Sequence, residues 1–318
     1  MSSHHLDRDR IIAILLITPS VLAVGVFVYA FIGWSGWASL IKWNDMLPLR
    51  SVAPLPDSWT IFPPYVSFAG LDNYIRLIVS DERFQKDIQN TLVFTVLFLV
   101  SCIGSGLLLA VLLDRKIRAE ALFRNIFLSP YAVSLIVTGV VWRWVLSPGT
   151  AQGGATGVNL LLEQIGLGFL KNGWYTDPNI GIKAVVIAAV WQMAGYTMAL
   201  YLAGLRSISE ELREAARVDG ANEWQIFRFI VLPLLQPVSI SALVILGHQS
   251  LKIFDLISSM TGPGPGFSTD VPAYYMFDTV FRGNNFSRGA AIAIIMLILA
   301  SIIVIPYIVN SVRQGMKT

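Results

Sequence analysis

The chain has 318 residues, of which 55% are hydrophobic and 14% charged, with a mean hydropathy of +0.64; soluble domains carry about 25% charged residues. That balance excludes a soluble globular enzyme and points to an integral membrane protein. The net charge is only +3, and the single cysteine, Cys102, sits in an apolar run, so nothing implies nucleic acid, a disulfide framework or a cysteine-based metal site.

A transmembrane helix needs about 20 mostly apolar residues. Six stretches qualify: 11–34, 92–113, 126–146, 184–205, 229–251 and 290–308. The first is too long for the apolar region of a signal peptide, and Trp34, Trp37 and Trp43 follow it as an interfacial anchor. Residues 35–91 form an outer loop. Within it, FAGLDNYIRLIVSDERFQ reads as a glycine turn and a short amphipathic helix with Tyr74, Leu77 and Ile78 on one face. Residues 147–157 read as a flexible turn, and TGPGPGFSTDVP, 261–272, as a Pro/Gly loop that excludes regular helix.

Basic residues set the orientation. With the N-terminus inside, segments 1–10, 114–125, 206–228 and 310–318 hold twelve Lys and Arg in 54 positions, against ten in 132 for the segments placed outside. Cytoplasmic segments retain the excess, so both termini, and residues 206–228, are expected in the cytoplasm. The fold expected is a single all-α membrane domain of six transmembrane helices over 1–318.

Residues 206–228 are the longest polar insert between spans on the cytoplasmic side. Ser207 and Glu210 have the spacing of a capping box, and Glu210, Glu211 and Glu214 put negative charge near a helix N-terminus. Leu212, Ala215, Ala216 and Asp219 share a face small enough for close approach by another backbone. Gly220 is a natural stop, Asn222 can cap the next helix, and Pro233 and Pro237 should bend the span that follows. A solvated loop at the headgroups is the alternative, but an alanine-sized face suits a protein groove better than lipid.

These residues resemble the membrane subunits of bacterial binding-protein-dependent ABC importers, in the carbohydrate branch typified by the maltose system. The family's cytoplasmic signature matches Glu214, Ala215, Ala216, Asp219, Gly220, Ala221, Phe227, Ile230, Leu232, Pro233 and Pro237. GLDNY, NTLVFT, SPYAVS, GLRSISEELREAA and FDLISSMTGPGPGFST extend the likeness over nearly the whole chain. Gly262-Pro263-Gly264-Pro265 departs from the family's Gly-Gly-Pro, which bears on loop shape and on contact with a binding protein.

The resemblance implies a type I importer permease of the plain six-span form, multi-pass in a bacterial or archaeal plasma membrane. Its partners would be a second homologous permease, an ATPase dimer that carries the ATP and magnesium, and an extracytoplasmic sugar-binding protein. It implies that Glu214 meets a basic residue of the ATPase and that Ala215, Ala216, Asp219, Gly220 and Ala221 belong to the closely packed coupling segment. It further implies a sugar path lined by the fourth and fifth spans. There, Trp191, Gln192 and Tyr196, and Gln249, Ser250 and Lys252, are candidates for sugar contact, since aromatic faces, amides and hydroxyls recognise sugars. Bland readings accompany them: interhelical hydrogen bonding around Gly195, and a Lys252–Asp255 pair at the rim. His248 reads as a helix-packing residue, and Arg143, between two tryptophans, as snorkelling to the interface.

No phosphate-binding loop, metal-spaced His/Cys set or nucleophile elbow occurs, so the chain is not expected to be an enzyme or to bind a cofactor or metal. Glycerol-3-phosphate or a polyol is the alternative cargo, and would want a cation in the path. An ion-coupled carrier would want acidic residues at mid-membrane, and none of the six spans contains Asp or Glu.

Overall fold

Lipid offers no hydrogen bonds, so apolar runs must satisfy their backbones internally and become helices. The computed structural model describes residues 3–42, 67–115, 118–149 and 154–315. In chain order these form α1 (Ser3–Val24), a π-helical stretch Gly25–Ala30, α2 (Phe31–Ser39), β1 (Ile41–Lys42), β2 (Ser67–Phe68), α3 (Asp72–Ile75), a π turn Arg76–Ser80 and α4 (Glu82–Asp114). Then come α5 (Glu120–Leu128), α6 (Leu135–Val145), α7 (Gly157–Gln164), α8 (Gly181–Ser207), α9 (Glu210–Val218), α10 (Glu223–Ile226), α11 (Leu232–Leu234) and α12 (Gln236–Leu251). The last are α13 (Phe254–Met260), α14 (Pro272–Phe277) and α15 (Phe286–Gly315). Trp43 and residues 150–153 of the expected turn lie outside the described residues.

Four helical segments are long and apolar enough to cross a membrane: Arg10–Ser39, α4, α8 and Phe286–Tyr307. Two bent pairs raise the number to six if each is one span: Glu120–Ala132 with α6, turned by 99°, and Glu223–Leu234 with α12, turned by 60°. The stretch 126–146 therefore does not run as one helix. Pro130 lacks a backbone donor, a 3-10 turn at Ser129–Ala132 follows α5, and Val133 and Ser134 are extended before the Ser134 hydroxyl caps α6 at Val137 N.

Contacts divide the chain into residues 1–80 with 276–295, and residues 81–275 with 296–318. In the first unit β1 pairs antiparallel with β2, and Asn73 donates to the carbonyls of Ser39 (2.8 Å) and Ile41 (3.0 Å). The helix expected through FAGLDNYIRLIVSDERFQ is split, because Asp81 accepts from Phe84 N and starts α4 afresh. On the N-terminal side of that break Leu77 is buried but Ile78 is exposed, so the two do not share a buried face.

In the second unit α4 and α8 pack closely. A side-chain carbon at Gly106 would meet Thr197 at 2.6 Å, the small-residue approach that holds helices together where lipid removes the hydrophobic drive. Phe94, Phe98, Cys102, Val185, Ala188 and Leu246 bury together towards one end of this core. Ala110, Met198, Tyr201, Leu205, Ile226 and Leu235 bury towards the other.

The Pro/Gly loop is ordered by its surroundings. Gly264 and Gly266 adopt positive φ (69° and 57°), and one 3-10 turn forms at Pro265–Phe267, a short helical element where none was expected. Arg83 bonds Asp270 at 2.6 Å and lies over the rings of Phe267 (4.9 Å) and Tyr275 (4.3 Å). Asn90 donates to the carbonyls of Phe267 and Asp270. Two residues of α4 thus fix the loop.

Candidate functional site

A cavity of about 320 Å³ opens in the second unit beside the break in the third apolar segment. Phe94 and Phe98 come from α4, Tyr131 and Val133 from the break, Leu135 from the start of α6, Gln192 and Met193 from α8, and Gln249 and Ser250 from the end of α12. Aromatic faces, two amides and two hydroxyls therefore converge. Among the described residues no charged side chain lines it.

Backbone geometry dictates the position of Gln192, which is 4% exposed. The chain turn leaves the Val133 carbonyl without a helical donor, and Gln192 Nε2 donates to it at 2.6 Å. The Oε1 atom of the same amide is buried and has no hydrogen-bond partner. One turn on, Gly195 lets the Phe127–Leu128 backbone rest directly on α8, where any side-chain carbon would overlap the Phe127 carbonyl. Tyr196 stacks on Tyr131 with ring centroids 4.9 Å apart. Ser250 is buried, donates to the Gly247 carbonyl at 2.8 Å and lies 2.9 Å from the Thr95 hydroxyl.

Gln192, Gln249 and Ser250 are thus brought together, whereas Trp191 and Lys252 are not. Trp191 is exposed and meets Trp142 edge-on at 5.9 Å. Lys252 is the exposed C-cap of α12 and makes no ion pair with Asp255 among the described residues. Phe94, Phe98 and Tyr131 escaped the sequence reading because aromatics in an apolar run look like ordinary span residues. The signal for Tyr131 was Pro130 beside it, which breaks the helix.

The second region is α9. Its N-cap is Ser209, not Ser207: the Ser209 hydroxyl accepts from Glu211 N at 3.2 Å, while Ser207 still belongs to α8 and donates to the Gly204 carbonyl. The expected box fails because α8 runs two residues further than its apolar stretch. At the other end, Ala221 N donates to Ala216 O and Gly220 N to Arg217 O, with Gly220 at φ 86°, a Schellman stop. Asn222 and Gln225 then cap α10 reciprocally.

Arg213 anchors α9. Its Nη1 meets Asp114 at 3.0 Å and its Nη2 donates to the Leu205 carbonyl at 3.3 Å, tying α9 to the ends of α4 and α8. Arg217 bonds Glu223 (2.9 Å) and Glu210 (3.2 Å), and these hydrogen bonds, Glu223 first, push the guanidinium's pKa above its ordinary value. Outward, Glu214 and Ala215 are exposed, and Val218 is 88% exposed. Glu214 has no ion-pair or side-chain hydrogen-bond partner among the described residues. Asp219 and Gly220 are likewise exposed, and Ala216 and Ala221 half-buried behind them.

Residues 102–318 match the family described as binding-protein-dependent transport system inner membrane component. The chain belongs to this family of ABC importer permeases. Over 295 residues the permease is 40% identical to a probable ABC transporter permease protein of Pyrococcus horikoshii, covering 93% of this chain and 94% of that one. It is 37% identical over 253 residues to the xylose/arabinose import permease protein XacH of Haloferax volcanii, covering 79% and 77%. Among solved structures, a bacterial ABC transporter involved in the import of the acidic polysaccharide alginate matches with TM-score 0.75 and 25% identity over 98% of both chains. The permease is therefore a multi-pass membrane protein, and its relatives include carbohydrate importers.

Proposed function

We propose that the permease forms half of the translocation path of an ATP-driven importer for a sugar, oligosaccharide or glycoside, and is driven through α9 by an ATPase dimer that binds ATP and magnesium. In this reading it crosses the membrane six times with both termini in the cytoplasm, each bent helix pair counting as one span. A second homologous permease completes the path and an extracytoplasmic binding protein delivers the sugar.

The observation that carries the reading is the mounting of α9. Arg213 fastens it rigidly to two long helices, while Glu214, Ala215 and Val218 face outward with nothing upon them. Such a lever transmits motion only if a partner grips its outer face. Glu214 is the charge offered to that partner, and the Ala216–Ala221 stop keeps the surface low. Gln192, Gln249 and Ser250 line the sugar site, and Tyr196 backs it by stacking on Tyr131. By linkage, the nucleotide state of the ATPase and the open side of the cavity bias each other.

Val218→Cys tests the placement, because Cys102, the one native cysteine, is buried. In intact cells the new thiol should resist a membrane-impermeant maleimide and should cross-link to the ATPase in inverted vesicles. Labelling from outside would overturn the reading.

A further inference from the structure

The relatives that resemble this permease include importers of neutral and of acidic carbohydrate, so the family alone leaves the charge of the cargo open. The cavity does not. Its polar side chains are the amides of Gln192 and Gln249 and the hydroxyls of Ser250 and Tyr131, and its walls include Phe94, Phe98 and the Tyr131 ring. Lys252, the cation that a phosphate or carboxylate in this path would require, is exposed and is not part of the lining. A buried anion with no countercharge and few donors is strongly disfavoured. Two of the polar groups are also partly committed, Gln192 Nε2 to Val133 O and the Ser250 hydroxyl proton to Gly247 O. What remains is the amide of Gln249 and the phenol of Tyr131, which suit the hydroxyls of a neutral ring whose apolar face lies on an aromatic. A volume of about 320 Å³ is at the small end of ligand pockets, about 300–1,000 Å³.

We propose that this cavity holds one neutral sugar ring at a time, either a monosaccharide or a single ring of a longer glycoside, and that it rejects sugar acids and sugar phosphates. This rests on the sugar-importer reading above and narrows it.

The test uses the importer complex purified through the full-length permease in lipid nanodiscs, with saturation-transfer NMR against D-glucose, D-xylose, D-glucuronate and glucose 6-phosphate. The neutral sugars should bind at least about tenfold more tightly than the two anions, with a weaker neutral signal in Gln249→Leu. Gln249→Arg, at an exposed rim position, should raise anion binding by about tenfold or more. Equal binding of glucuronate and glucose by the unaltered protein overturns the proposal but leaves the sugar importer standing. The same holds for a neutral preference that neither Gln249 variant moves, since selectivity then lies outside this cavity. Binding of none of the four sugars overturns the sugar reading itself.

Discussion

Gln192 Nε2 donates a 2.6 Å hydrogen bond to the Val133 carbonyl, across the point where the third apolar segment turns by 99°. One amide thereby stabilises the break beside the cavity, while its own oxygen stays buried without a partner. Gln192→Leu removes the side-chain donor from a part-buried carbonyl, at a cost of about 0.5–1.5 kcal/mol. A lower thermal midpoint in nanodiscs is expected; an unchanged midpoint would mean that the break is held elsewhere. Gln192→Glu should lower it too, because a carboxylate cannot donate to the carbonyl.

Gly195→Val places branched carbon where the Phe127–Leu128 backbone rests. Overpacking of this kind costs about 1–3 kcal/mol or more, and here the opposing atoms are backbone. Folded yield should fall sharply, whereas Gly104→Ala, on an open face of α4, should be neutral. Equal yields would contradict the packing described.

Much of this architecture is legible in the sequence, and what is not has a physical reason. Composition and basic-residue placement identify the apolar segments and expose 206–228 as a polar insert, and Gly220 and Asn222 announce the stop and restart that the backbone makes. Periodicity cannot show that 126–146 breaks, because the break is matched by contacts far along the chain: Gln192 of α8 donates to the Val133 carbonyl, and Gly195 lets the Phe127–Leu128 backbone rest on that helix. Nor can it place Ser209 as the cap, since α8 runs to Ser207, two residues beyond the end of the apolar run. The partner of Arg213, Asp114, lies 99 residues away, and no local rule joins them.

Arg213→Ala removes the tie from α9 to α4 and α8. Both side chains of the pair are mostly buried (17% and 18% exposed), so loss of about 1–3 kcal/mol of local stability is expected. Hydrogen exchange should quicken across 210–218 while α4 and α8 stay protected. A double-mutant cycle with Asp114→Ala should show coupling of about 0.5–3 kcal/mol; additive effects would remove the anchor from the account.

Arg83→Ala should free the loop 261–272, which has Arg83 as its ion-pair and ring partner. Faster exchange at residues 264–270 is expected, with no change in α9. Unchanged exchange would show that Asn90 suffices to hold the loop.

The central claim is that α9 carries the work of ATP hydrolysis into the spans through its unpartnered outer face. Uptake and ATP hydrolysis measured together in proteoliposomes of the complete importer, comparing the unaltered protein with Glu214→Ala, test it most directly. The account predicts that sugar transported per ATP hydrolysed falls at least about tenfold, or that the ATPase no longer co-purifies, while the thermal midpoint of the permease is unchanged. Normal uptake per ATP with a normally assembled ATPase would contradict it.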